Sequence, residues 1–238
     1  MLDPGIDLPS SREAIQIADS FREVYAAVGV HPNSATTWTV ETESALRRLA
    51  AHSKVVAIGE IGLDYYRDRA PKSLQQDVFR RQLALAGELG LPVIIHSRNL
   101  SQVERQATED MLSILSEWRD QLGRAKSRIA EHPGVLHSFS DNLESAKRAI
   151  ELGFFIGITG PVTFKNAVEL QGIVAAVPLE HLLIETDAPF LTPHPYRGQR
   201  NEPAYVGQVA GKIAHIHQVP LETVADVTTR NAERLFHW

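Results

Sequence analysis

A chain of 238 residues, 43% hydrophobic and 22% charged, can bury the core of a large α/β domain. Its formal charge of −5 excludes broad electrostatic coating of nucleic acid, but not a nuclease whose bound metal supplies positive charge locally. The absence of cysteine excludes disulfides, thiolate zinc sites and cysteine nucleophiles, and fits a reducing cytoplasm.

The opening residues lack the basic and apolar regions of a signal peptide. No apolar run reaches the roughly 18 to 20 residues of a membrane span. Residues 1–6 read as the tail of a strand. A helix follows over 11–22, with Ser10 and Ser11 as candidate caps. The run VYAAVGV (24–30) predicts a strand, and 42–52 a helix carrying Ala45, Leu46 and Leu49. VVAIG (55–59) is the next strand. The helix over 73–90 ends in Gly90 ahead of Pro92, a stop signal. LPVII (91–95) precedes an amphipathic helix over 104–122, with Met111, Leu112, Leu115 and Trp118 on one face. Strands over 134–136 and 153–158 flank a helix over 143–152, and HLLI (181–184) is a further strand. Helices over 203–217 and 221–236 close the chain. Near-continuous apolar runs of this length suit strands buried on both faces, and their alternation with helices predicts a parallel sheet with right-handed crossovers. The fold class expected is α/β, a TIM-type (β/α) barrel spanning 1–238 as one domain. About seven strands are counted where such a barrel has eight, and the shortfall falls at the N-terminus.

Metal-capable side chains follow these apolar runs. VVAIG leads into Glu60, LPVII into His96, GVL into His137 and LLIET into Asp187; His31 follows VYAAVGV. In a parallel barrel the C-terminal strand ends share one mouth, where active sites form. A lone histidine after a strand is more often a surface or core residue, but four or five such residues together favour a metal site. Imidazole and carboxylate without thiolate suit Zn, Mn, Co or Fe, and Mg with more reliance on water. Such an ion lowers the pKa of water toward neutrality. Other residues admit two readings each. Asp64 could orient a ligand or cap a turn. Tyr65 and Tyr66 could stack on a base or simply pack. Arg98 could meet a phosphate or pair on the surface. Arg197, Arg200 and Asn201 lie in a polar loop that serves as a substrate clamp or a plain connection. His52, His132, His181, His215, His217 and His237 read as structural or exposed.

The sequence resembles the TatD family of metal-dependent deoxyribonucleases over essentially its whole length. The matching segments are AAVGVHP (26–32), VVAIGEIGLDYYRD (55–68), PVIIHSR (92–98), GVLHSFS (134–140), GFFIGITGPVTF (153–164), LLIETDAPFLTP (182–193), RNEPAYV (200–206) and TTRNAERLF (228–236). The resemblance implies a barrel holding one or two divalent ions (Mg, Mn or Zn) and hydrolysis of phosphodiester bonds in DNA. It implies that Glu60 bridges two metals, that His96 and His137 complete one site, and that Asp187 belongs to the other and serves as base or orienter for water. It places His31 near the substrate phosphate; Arg98, Arg200 and Asn201 are the further candidate substrate contacts from the residue reading above.

One departure qualifies this. Family members open with a first strand ending in an Asp-x-His-x-His type motif, which this sequence lacks. The expectation is a barrel without its first strand, through truncation in preference to natural loss, with weak or absent nuclease activity and reduced metal occupancy near Asp187. The alternatives are a hydrolase of another ester, such as an aminoacyl-tRNA, or an inactive barrel that retains partial metal binding. A cytoplasmic monomer without membrane association is expected.

Overall fold

Short apolar runs alternating with amphipathic stretches fold here as parallel strands joined by helices, seven strands in all among the described residues. The computed structural model describes residues 1–101 and 103–238. Two compact units divide the chain: Met1–Gly134 with Phe236–Trp238, and Val135–Leu235. No helix among the described residues is long and apolar enough to cross a membrane.

In the first unit, β1 (Leu2–Pro4), β2 (Tyr25–Val28), β3 (Val55–Asp64) and β4 (Val93–Arg98) pair in that order, all parallel. They alternate with α1 (Leu8–Ser20), α2 (Val40–Leu49) and α3 (Lys72–Leu89), and α4 (Gln106–Arg124) follows β4. Asp7, not Ser10 or Ser11, caps α1. Its carboxylate accepts the Ser10 N–H at 2.9 Å, while the Ser10 hydroxyl accepts the Asp7 N–H at 3.1 Å, a reciprocal pair that satisfies two orphan donors. The helix therefore starts three residues earlier than the serines predict.

Strand β3 is twice the length of its apolar run. All ten of its residues are buried, and it continues through Glu60 to Asp64. Its pairing with β4 shifts register between Ile58 and Ile61, an irregularity that re-aims the side chain at position 60. Gly62 permits the close approach that follows. Its φ is +139°, and a Cβ there would collide with the carbonyl of His96.

Two glutamines of α3 close the ends of the strands beneath them. Buried Gln82 accepts the Val30 N–H at 2.8 Å and donates to the Val30 carbonyl at 2.9 Å. Buried Gln75 accepts the Asp64 N–H at 2.8 Å and donates to the carbonyls of Asp64 and Ala70. Backbone groups beyond the ladder would otherwise be buried without partners. These amides hold the chain immediately before His31 and at Asp64.

The second unit holds β5 (Gly134–Leu136, beginning at the boundary), β6 (Phe155–Ile158) and β7 (Leu182–Ile184), paired parallel in that order. Between them run α5 (Leu143–Glu151) and α6 (Val168–Ala176), followed by α7 (Val206–His217) and α8 (Leu221–Phe236). Helix α6 escapes the sequence reading because only Ile173 and Val174 are buried, too few to mark an apolar face. Buried Asn231 on α8 donates to the carbonyls of Leu179 and Leu182, both at 2.8 Å, and so pins the entry to β7.

Replacing Gln82 with Leu should destabilise the protein by about 2–5 kcal/mol, because it strands a buried N–H and a buried carbonyl at Val30. Urea unfolding measures this, and a loss under about 1 kcal/mol would show that the backbone finds other partners.

Candidate metal centre

In the first unit, the ends of β2, β3 and β4 bring together His31, Glu60, Asp64 and His96. One ligand atom each from His31, Glu60 and His96 lies within 4.8 Å of the others. His96 Nδ1 faces Glu60 Oε1 at 2.9 Å, and its Nε2 lies 3.5 Å from Asp64 Oδ2. That second approach forms no hydrogen bond, so Nε2 is a buried nitrogen without a hydrogen-bonding partner. Burial disfavours the imidazolium, but the Asp64 and Glu60 carboxylates outweigh it and push the His96 pKa up to about 9. Burial likewise raises the Asp64 carboxyl, but His96, the Arg67 N–H and the Asn33 amide overcome this and bring it down to about 2. Two carboxylates converging on one imidazole draw positive charge to their centre, which the ring's second proton supplies, or a bound cation once it has displaced that proton. The donor set fits a borderline or hard divalent ion.

His31 enters this cluster differently. It caps the 3-10 turn Pro32–Thr37, with its Nδ1 accepting the Asn33 N–H at 3.1 Å. An imidazole whose Nδ1 accepts carries its proton on Nε2 when neutral, which makes that atom a donor and not a ligand. Its ring meets the His96 ring edge-on, with centroids 4.3 Å apart.

Asp64 also fixes the chain that follows β3. Its Oδ1 accepts the N–H groups of Tyr66 and Arg67, each at 2.9 Å. The two neighbouring tyrosines then diverge. Tyr65 is buried, its hydroxyl donating to Asp110 at 2.8 Å, so it packs and cannot stack on a ligand. Tyr66 is 51% exposed and lies under the Arg98 guanidinium, whose centre is 4.1 Å from the ring centroid.

The second unit contributes its own cluster. His137 follows β5 directly. Its Nδ1 is 2.8 Å from Glu185 Oε2, and its Nε2 is 3.4 Å from Asp187 Oδ1. Glu185 is the residue the sequence reading passes over. It also accepts the Ser138 N–H at 3.0 Å, and a Cβ at Gly157 would occupy the space its carboxylate fills. A carboxylate behind a metal-capable histidine sets the ring's tautomer and orientation. The signal available was the short run LLIETD, in which Glu185 alternates with Asp187.

Asp187 lies three residues beyond β7 with φ of +56°, a left-handed conformation that aspartate tolerates better than most residues. Its loop is held by Asn201, buried to 2% exposure, whose amide donates to the carbonyls of Thr186 and Phe190. Arg200 beside it is exposed, and Arg197 stacks on the Phe164 ring at 4.0 Å.

Glu185→Ala and Gly157→Ala should each weaken divalent-cation binding about 10–100-fold, the usual effect of losing the partner that orients a ligand. Competition against a chelating dye measures this, and unchanged affinity in both variants would detach Glu185 from any metal role.

Comparison with known proteins bears on the whole chain. The family model for TatD-related DNases matches residues 1–237. The chain is 44% identical to the uncharacterised metal-dependent hydrolase YabD of Bacillus subtilis, over 98% of this chain and 85% of that protein. It is 35% identical to a 3'-5' ssDNA/RNA exonuclease TatD of Enterobacter lignolyticus, over 99% of this chain and 86% of the relative. The solved structure of YJJV, a TatD homologue from Escherichia coli, covers 100% of the chain with a TM-score of 0.87 at 30% identity, and the chain covers 86% of it. The fold class is therefore the TIM-type barrel expected from the strand and helix rhythm, and the chain belongs to the TatD family of metal-dependent hydrolases.

Proposed function

We propose that this hydrolase cleaves phosphodiester bonds in DNA with the help of one or two divalent ions (Mg, Mn or Zn). The observation that carries the reading is the Glu60–His96–Asp64 cluster, in which Glu60 meets Nδ1 of His96 at 2.9 Å and the ring's Nε2, buried and without a hydrogen bond, lies 3.5 Å from Asp64. Support for the substrate comes from the relative named as an ssDNA/RNA exonuclease.

In this reading Glu60 and His96 are metal ligands in the first unit. Asp64 lies beside His96 Nε2 and adds negative charge to the cluster. A divalent ion held there supplies Lewis acidity and lowers the pKa of water. His31, whose Nδ1 accepts the Asn33 N–H, stands near the substrate phosphate. Arg98 binds phosphate with its guanidinium edge.

In the second unit His137 is a metal ligand whose ring Glu185 orients. Asp187 takes the proton from attacking water and is the second carboxylate available to metal. Arg200 contacts substrate. Asn201, whose amide protons are spent on Thr186 and Phe190, serves the substrate by shaping the loop that carries Asp187.

Cleavage of single-stranded DNA by the purified protein, weak as the missing histidine pair implies, should require Mg or Mn, and EDTA should abolish it reversibly. Glu60→Ala should lower kcat/KM by roughly two orders of magnitude, since several kcal/mol of Lewis-acid stabilisation go with the ligand. Rapid hydrolysis of aminoacyl-tRNA with no cleavage of DNA would replace this reading with that of a different esterase.

A further inference from the structure

The exposed pair Tyr66 and Arg98 lies outside the ligand set, at the C-terminal ends of β3 and β4. Tyr66 is two residues beyond Asp64, and Arg98 two beyond His96. The guanidinium covers one face of the phenol ring at 4.1 Å. No ion pair of Arg98 is found among the described residues; stacking on Tyr66 is the contact that places its charge. A stacked guanidinium keeps its edge N–H groups available for a bidentate anion. The ring beside it is 51% exposed, unusual for a tyrosine following an otherwise buried strand.

The position of this ring relative to the metal cluster is not left to the side chain. Asp64 accepts the Tyr66 N–H with one carboxylate oxygen and faces His96 Nε2 with the other. The same carboxylate is buried to 1% exposure and further held by the Asn33 amide at 3.1 Å. One fixed group thus sets both the histidine of the cluster and the backbone that carries the ring. Because Tyr65 is turned inward to Asp110, Tyr66 is the member of the pair that faces solvent.

We infer that Tyr66 and Arg98 form a nucleotide platform, with the Tyr66 ring stacking on a base of single-stranded nucleic acid while the Arg98 edge takes the adjoining phosphate. This rests on the phosphodiesterase reading and specifies how that enzyme holds a flexible strand. Stacking suits a single strand because every base presents a π-face, so such contacts add affinity with little sequence preference. A duplex keeps its bases stacked on one another and offers no face to the ring.

The test separates binding from cleavage. The full chain carrying Mn is titrated with a dye-labelled, phosphorothioate-linked single-stranded DNA octamer, and with an abasic octamer of equal charge, and anisotropy is read. Tyr66→Ala should weaken binding of the normal octamer about tenfold, and Tyr66→Trp should stay within about twofold of the parent, since a larger ring still stacks. The Tyr66→Ala penalty should vanish on the abasic strand. Equal binding of the normal octamer by the parent and Tyr66→Ala would overturn the platform, as would an equal penalty on the abasic strand. Tyr66-dependent binding without any cleavage of the ordinary phosphodiester octamer would instead remove the nuclease reading and leave the platform standing.

Discussion

A part-buried imidazole held between two carboxylates governs the first unit. Burying any of the three charges alone would be costly, and each is tolerable because the others are there. His96 sets the terms. Glu60 reaches it from a register shift in β3, and Asp64 from four residues further along the same strand. The strand must stay buried and extended through all of these positions, which is why β3 runs past its apolar segment and why Gly62 lies against the backbone of His96. The glutamines of α3 follow from the same demand. A strand that ends on metal-capable side chains leaves its last backbone groups without ladder partners, and Gln75 and Gln82 supply them.

The second unit meets a related problem by other means. His137 has a carboxylate on each ring nitrogen, but here both follow the strand, Glu185 directly after β7 and Asp187 two residues further on. Asp187 depends on a left-handed backbone and on the buried amide of Asn201 to hold that loop.

How much of this the sequence carried depends on whether a feature is local. His96 and His137 were legible because a buried parallel strand reads as a continuous apolar run, and a polar residue after it stands out. Glu60 was legible for the same reason, although it proves to be inside its strand: the apolar run stops at Gly59 while the extended backbone continues. Glu185 was not legible. Its importance comes from a histidine 48 residues away, and from room left by Gly157, neither of which is visible along the chain. Gln75 and Gln82 were hidden by the rule that polar residues on helices face solvent. The capping of α1 by Asp7 was missed because two serines nearby are equally good candidates by type. The divergence of Tyr65 and Tyr66 could not be read from adjacent identical residues at all.

The way Tyr66 is anchored bears on how this scaffold can change. Asp64 grips the backbone N–H of residue 66, and a backbone N–H is the same for every residue except proline. The position is fixed while its chemistry is left open. A lineage can therefore exchange the side chain at 66 to suit a different substrate without renegotiating the charges around His96, which makes this a point of low mutational cost beside a centre where nearly every other change is expensive.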